Sequence, residues 1–201
     1  ISAANVPLAL KLEQIRARAA ADRERAARDR ALAARDRADA ARERARLQTE
    51  LESAHLDDLT QTFRRDAGCL ALSHEMDHAR RGDGRFVIAF IDVDGLKRVN
   101  DRDGHAAGDH VLRMLADTIR SHLRSFDPVV RYGGDEFVCG MGGVDLEEVG
   151  HRFDLICHAV EDEVGVGISV GLAMLAAGET LDEVTARADA GLIDTRLDRH
   201  R

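Results

Sequence analysis

At 201 residues and 44% hydrophobic, the chain has room for one folded domain plus an appendage, and an aromatic share of 3% requires an aliphatic core. No apolar run approaches the ~20 residues a membrane-spanning helix needs, which excludes such a span within this sequence. The net charge of −8 excludes attraction of a nucleic-acid polymer through the average field, so a nucleotide ligand has to be reached through metal ions and local basic residues.

In chain order, Ile1-Ser2-Ala3-Ala4 has neither a start Met nor a charged region ahead of an apolar one. It does not read as a signal peptide; the expectation is a fragment of a longer protein, with a sensory module upstream. A repeat follows. Ala26-Ala27-Arg28-Asp29-Arg30-Ala31-Leu32 recurs as Ala33 to Asp39 and again as Ala40 to Arg46, a period of seven. That period suits a helix supercoiling around a partner. Ala27, Ala31, Ala34, Ala38, Ala41 and Ala45 line one face, preceded by Leu8, Leu12, Ile15 and Ala19 and followed by Leu47, Leu51 and Ala54. The three stripes are not in one register, so the seam shifts at least twice. Alanine favours helix but buries little surface, so the helix should be stiff and its seam weak. Lys11 to Arg46 holds twelve basic and seven acidic residues, a net of +5; with −8 overall, the remainder carries −13. The reading is a dimeric coiled coil over residues 1–56, with a solvated single helix as the bland alternative.

From residue 57 the pattern changes to α/β. Leu59 to Arg80, Gly108 to Leu123, Leu146 to Val160 and Leu181 to Leu197 read as helices. Phe86 to Ile91 reads as a buried central strand and Val164 to Leu175 as a further strand region. Val129 to Tyr132, Gly133-Gly134 and Glu136 to Cys139 read as strand, turn and strand. A mixed sheet flanked by helices is the expected architecture of residues 57–201. Cys69, Cys139 and Cys157 fit no metal template; they read as small core residues in a reducing compartment.

Two places carry chemistry. Asp92 and Asp94 end the buried run on one strand face, at the sheet rim where α/β folds bind ligands. Gly133-Gly134-Asp135-Glu136 puts two more carboxylates at a hairpin tip, where glycines permit a tight turn and close ligand approach. If the hairpin pairs beside the Phe86 strand, Asp92 and Asp135 converge from 43 positions apart. Hard oxygen donors short of a full cage suit Mg²⁺ with phosphate completing the shell.

These residues resemble a known family. Arg131-Tyr132-Gly133-Gly134-Asp135-Glu136-Phe137, together with Phe90 to Asp101 and Gly104-His105-Ala106-Ala107-Gly108-Asp109, is similar to the linked motifs of the GGDEF diguanylate cyclases. Leu59-Thr60 matches the family's domain opening, while Gln61-Thr62-Phe63 replaces its glycine-containing turn.

The resemblance implies a palm-like α+β domain with a mostly antiparallel sheet, which joins two GTP molecules into cyclic di-GMP. It implies that Asp92, the Val93 carbonyl and Asp135 hold two Mg²⁺ (or Mn²⁺) ions. Glu136 assists the metals or the attacking 3′-hydroxyl, and Lys97 meets phosphate. Asn100 and Asp109 read the guanine edge, Asp109 selecting against adenine, and Gly133 and Gly134 let the nucleotide lie against the backbone. Each domain binds one GTP, so two must face each other, and the N-terminal helix would hold them as a homodimer. Arg124 and Asp127 stand at the spacing of the family's inhibitory product site, against the plainer reading of a helix-end pair. Where the family shows a Lys and an Arg near its C-terminus, this sequence has Arg196 and His200. A cytoplasmic domain is implied, with membrane anchoring of a longer protein left open. The rival readings are a catalytically weak domain serving as a cyclic di-GMP receptor, and a structural coiled coil with a passive domain.

Overall fold

The computed structural model describes residues 8–82 and 84–199, with the side chains of 8, 9, 45, 47–54 and 193–199 outside that description. It divides into two compact units, Ile1–Glu52 and Ser53–Arg201. The first is dominated by one helix, α1 (Leu8–Ala54). Its alanine-rich, proline-free sequence has strong helix propensity throughout. Leu12 and Ile15 remain 47% and 65% exposed on it, and no described helix is long and apolar enough to cross a membrane.

The second unit is a five-stranded sheet with helices on both faces, as expected. In chain order it runs β1 (Phe63–Arg64), α2 (Arg65–Arg81), β2 (Phe86–Val93), α3 (Leu96–Asp103), α4 (His105–His122), β3 (Val129–Arg131), β4 (Glu136–Gly142), α5 (Leu146–Val164), β5 (Ile168–Met174) and α6 (Leu181–Arg199). The strand order is β1-β3-β4-β2-β5. Every pairing is antiparallel except that of β1 with β3. β2 lies between β4 and β5 and is apolar on both faces, as a continuous run of six apolar residues requires.

Strand alternation splits the core in two. Val87, Ala89, Ile91 and Val93 join α4 and α5 residues in one cluster; Phe86, Ile88 and Phe90 join Leu72 and Met76 of α2 and Val184 and Ala188 of α6 in the other. Packing on the second face is close: a Cβ at Gly171 of β5 would stand 1.9 Å from the Ala188 carbonyl oxygen. Only glycine lets α6 approach that strand so nearly.

Two expectations need correction. The helix expected from Leu59 begins at Arg65 instead. Before it, the Asp57 carboxylate accepts from the Thr60 amide at 2.9 Å and hydroxyl at 2.8 Å. Gln61 then takes a left-handed φ of 55°, so the chain turns and pairs as β1. A helix was also missed at Leu96–Asp103, between two positive-φ glycines, Gly95 (72°) and Gly104 (85°). Cys139 is in the core, whereas Cys69 and Cys157 are half-buried; all three are free thiols, and burial pushes the Cys139 thiol far above its ordinary range.

Candidate active site

The β3–β4 hairpin pairs beside β2. In that register Asp92 stands opposite Glu136 on one side and Ser169 of β5 on the other. Just past the ladder, the Val93 amide donates to the Asp135 carbonyl at 3.2 Å. The carboxylates of β2 and of the hairpin are therefore brought to one end of two adjacent strands. Asp94 leaves the ladder in a held position: its amide donates to Gly167 O at 2.9 Å, and its carboxylate accepts from Ser169 Oγ at 2.7 Å. Asp92, Asp135 and Glu136 are all half-buried.

The hairpin tip uses its glycines differently from the expectation. Neither Gly133 nor Gly134 has a positive φ. A Cβ at Gly133 would lie 2.3 Å from Glu136 Oε2, whereas one at Gly134 would meet nothing within 4 Å. Gly133 thus makes room for the Glu136 carboxylate, and Gly134 is the one with an open face. The tip is closed by the Tyr132 and Gly133 amides donating to the Glu136 carbonyl at 2.8 and 3.2 Å.

Arg131 braces this tip from behind. Its guanidinium donates to the Gly134 carbonyl from Nε at 3.2 Å and from Nη2 at 2.8 Å, while Nη1 reaches the Asp57 carboxylate at 2.9 Å. Burial raises the Asp57 pKa, but the Thr60 and Arg131 hydrogen bonds and the Arg131 charge outweigh it and hold the carboxyl below its ordinary value. Beside it, Arg65 lies 4.1 Å from the Tyr132 ring centroid, and Tyr132 meets the edge of Phe90.

Only Asp94 and Gly95 separate β2 from α3, so the α3–α4 pair rises directly from the acidic strand end. Lys97 stands exposed in the first turn of α3. Asn100 lies against α4, where a Cβ at Gly108 would be 2.0 Å from its Oδ1. That oxygen is buried without a hydrogen-bond partner, an acceptor in need of a donor. Asp109 follows Gly108 on α4 and is half-buried.

Among the described residues no three His, Cys, Asp or Glu side chains stand close enough to hold a metal by themselves. The donors that Asp92, Asp135 and the Val93 carbonyl could offer are hard oxygens forming a partial shell. Such a set fits Mg²⁺, which retains waters and takes phosphate oxygens rather than requiring a protein cage.

Arg124 and Asp127 occupy the turn between α4 and β3. Asp127 is buried, with its Oδ2 accepting from the Arg124 amide at 2.9 Å. That bond is made by the Arg124 backbone rather than its guanidinium, and burial raises the Asp127 pKa. The Arg124 side chain is exposed, 5.8 Å from the Phe126 ring centroid, at the border of a cleft of about 380 Å³ that Asp127 also lines. Arg196 lies on α6 with its side chain outside the described set, and His200 is outside the described residues. Asp57 and Ser169 were not singled out in the sequence. Ser169, a lone hydroxyl in an apolar strand run, carried the clearer signal.

The chain matches the family described as diguanylate cyclase, GGDEF domain, over residues 54–200. Diguanylate cyclase DgcP of Pseudomonas aeruginosa is 30% identical over 154 residues, 73% of this chain and 23% of that protein. The structure of the coiled coil and GGDEF domain of DgcB from Caulobacter crescentus, in complex with c-di-GMP, is 27% identical with a TM-score of 0.78. It covers 84% of this chain and 94% of that one. Diguanylate cyclase SiaD from Pseudomonas aeruginosa, solved with its activator SiaC, is 30% identical with a TM-score of 0.68, covering 94% and 82%. The chain spans between about a fifth and a half of the length of the first curated relatives it matches.

Proposed function

The chain belongs to the GGDEF family of diguanylate cyclase domains, and on that premise we propose that it condenses two GTP molecules into cyclic di-GMP, releasing two pyrophosphates. The observation that carries this reading is the register of β2 with β4, which sets Asp92 opposite Glu136 with Asp135 beside Val93. A receptor has no use for so many acids at one strand end.

Asp92, the Val93 carbonyl and Asp135 would hold the divalent ions, Mg²⁺ or Mn²⁺, two per site. When bound, such ions supply polarisation of the attacking hydroxyl and charge neutralisation at the leaving pyrophosphate. Glu136, held over Gly133, either completes that donor set or takes the proton from the 3′-hydroxyl. The open backbone at Gly134 gives the nucleotide a surface to lie against. Asn100 Oδ1 and the Asp109 carboxylate accept from the guanine amine and N1–H, a donor pair that adenine lacks, and Lys97 with Arg196 meets phosphate as positive charge. One domain carries one GTP. Each 3′-hydroxyl therefore attacks the α-phosphate held by a second copy, and α1 supports the homodimer in which they face each other. Product returning to Arg124 and Asp127 would inhibit the enzyme, which is expected to work in the cytoplasm under an upstream sensory module.

The test is product analysis after incubation with GTP and Mg²⁺, beside Asp135→Ala. Cyclic di-GMP from the native chain and none from the variant supports a cyclase working through these acids. The exposed Arg124 guanidinium at its cleft favours one second reading, a cyclic di-GMP receptor. The absence of product, with cyclic di-GMP binding that Arg124→Ala abolishes, would establish that reading and end the first.

A further inference from the structure

Helix α3 has two sides, and the residues assigned above to GTP use only one. At about 3.6 residues per turn, Lys97 and Asn100 fall on one side of it and Arg98 and Arg102 on the other. On α4, Asp109 is likewise turned away from Ala107 and Val111. The reverse sides of α3 and α4 form one wall of a cleft of about 710 Å³, faced by the end of α5 and the turn into β5. Lys97, Asn100 and Asp109 do not line it. Val99, Val111, Val164 and Val166 give it an apolar lining.

The charged groups around this cleft divide into those already engaged and those not. Arg102 Nε donates to Asp103 Oδ2 at 2.7 Å, and Asp94 accepts from Ser169 Oγ. The side chains of Arg98, His110 and Glu163 make no hydrogen bond or ion pair among the described residues. The Arg98 guanidinium packs instead over Gly95, where a Cβ would stand 2.8 Å from its Nη2. It is thus held at the cleft with its donors unspent. Glu163 has its own need of a cation. It stands in the last turn of α5 beside Glu161 and Asp162, with no basic residue in that turn, and the negative end of a helix dipole disfavours carboxylates there. The cleft therefore presents unengaged cationic donors on the α3–α4 wall, an unengaged carboxylate on the other, and valines between.

We propose that this cleft binds a small zwitterion with an apolar body, the chemistry of an apolar amino acid or a short apolar peptide. The ligand's carboxylate meets the Arg98 guanidinium, whose planar fork suits it, with the His110 imidazole beside it. Its ammonium meets Glu163, and its aliphatic part covers the valines. A simple anion would leave Glu163 unanswered, and a simple cation would leave Arg98 so. A polyphosphate is the wrong occupant, since Asp94, Asp103 and Glu163 all line the same space. The site lies on the reverse of α3 and does not depend on the cyclase reading.

The test is calorimetric titration of the full chain without GTP, so failure of the cyclase reading does not bear on it. The probes are leucine and the dipeptide Leu-Leu, which distinguish the two sources of this chemistry, each beside its N-acetylated and its C-amidated form. Saturable binding of one parent probe is expected, and either blocked form should bind at least roughly tenfold more weakly. Arg98→Ala should weaken the parent probe by a similar factor, and Glu163→Gln should do so while leaving the N-acetylated form unaffected, the coupling expected of a direct contact. Circular dichroism checks that both variants remain folded, and the blocked probes decide the matter on the native chain if one does not. Asn100→Ala, on the opposite side of α3, should leave probe binding unchanged. The proposal is overturned if neither probe saturates, if the blocked forms bind as well as the parents, or if Asn100→Ala abolishes binding and so moves the probe to the nucleotide side.

Discussion

The guanidinium of Arg131 joins Asp57, 74 residues earlier, to the carbonyl of Gly134, three residues later, with contacts of 2.9 and 2.8 Å. One side chain thus ties the opening turn of the second unit to the tip that carries Asp135 and Glu136. Both partners of the ion pair are largely sheltered, at 18% and 22% side-chain exposure, so loss of one leaves the other poorly solvated. Arg131→Ala is expected to destabilise the unit by about 2–3 kcal/mol, with a coupling to Asp57→Ala of roughly 1 kcal/mol or more in a double-mutant cycle. Additive effects in denaturant titrations would show that the pair is not coupled.

The two perturbed carboxylates respond to acid in opposite senses. Asp57 has a folded pKa below its unfolded value, so its contribution is present above the unfolded value and lost as pH falls through the folded one. Asp127 is raised, above all by burial, so its contribution is present below the unfolded value and lost as pH rises through the folded one. Ionising Asp127 therefore works against its burial. Asp127→Asn keeps an acceptor for the Arg124 amide and should raise the melting temperature at pH 7, by about 2–4 °C for each kcal/mol relieved. The gain should vanish below the ordinary carboxyl value of 3.8. A gain that persists in acid would mean that burial of the charge is not its source.

Asn100 Oδ1 is buried with no partner, an arrangement unfavourable by about 1–3 kcal/mol for an ordinary acceptor. Asn100→Ala should then leave stability unchanged or improved while raising the KM for GTP by about tenfold, the equivalent of one good hydrogen bond. Thermal melts with and without GTP separate the two effects. A destabilised variant with unaltered KM would assign Asn100 to packing.

Gln61 has a φ of 55°, a conformation about 1–2 kcal/mol unfavourable for a residue with a Cβ. Its side chain offsets this by donating to the Asp58 carbonyl at 3.2 Å and the Asp57 carbonyl at 3.4 Å. Gln61→Gly should accordingly be within about 0.5 kcal/mol of the native chain, and Gln61→Val, which has neither the bonds nor the freedom, worse by about 2 kcal/mol. Equal melting temperatures for the two variants would contradict this account.

The acids of the site were legible because they are encoded locally, as an apolar strand ending in Asp92 and a hairpin ending in Asp135 and Glu136. One pairing rule then brings the two together. The Asp57–Arg131 tie was not legible, since an acid in a turn and an arginine in a strand carry no sign of each other at that separation. Helix α3 was hidden by composition: Leu96 is its only buried residue, too little for an apolar period to show over eight positions. The false start at Leu59 has the reverse cause. Apolar spacing continued through a stretch where the Asp57 hydrogen bonds and the Gln61 backbone had already turned the chain. Close approach of α6 at Gly171 depends on where a distant helix crosses, which no local pattern states.

The central place of β2 has a consequence for how the protein is made. Its neighbours come late: β4 begins at Glu136 and β5 at Ile168, 43 and 75 residues after β2 ends at Val93. At about 5–20 residues per second of synthesis, the apolar segment Phe86–Ile91 waits roughly 2–9 seconds for its first partner. Throughout that interval both of its edges are open to any other extended chain. The strand that anchors the acidic site is thus also the segment of the nascent protein most exposed to aggregation, and the one a ribosome-associated chaperone would have most reason to cover.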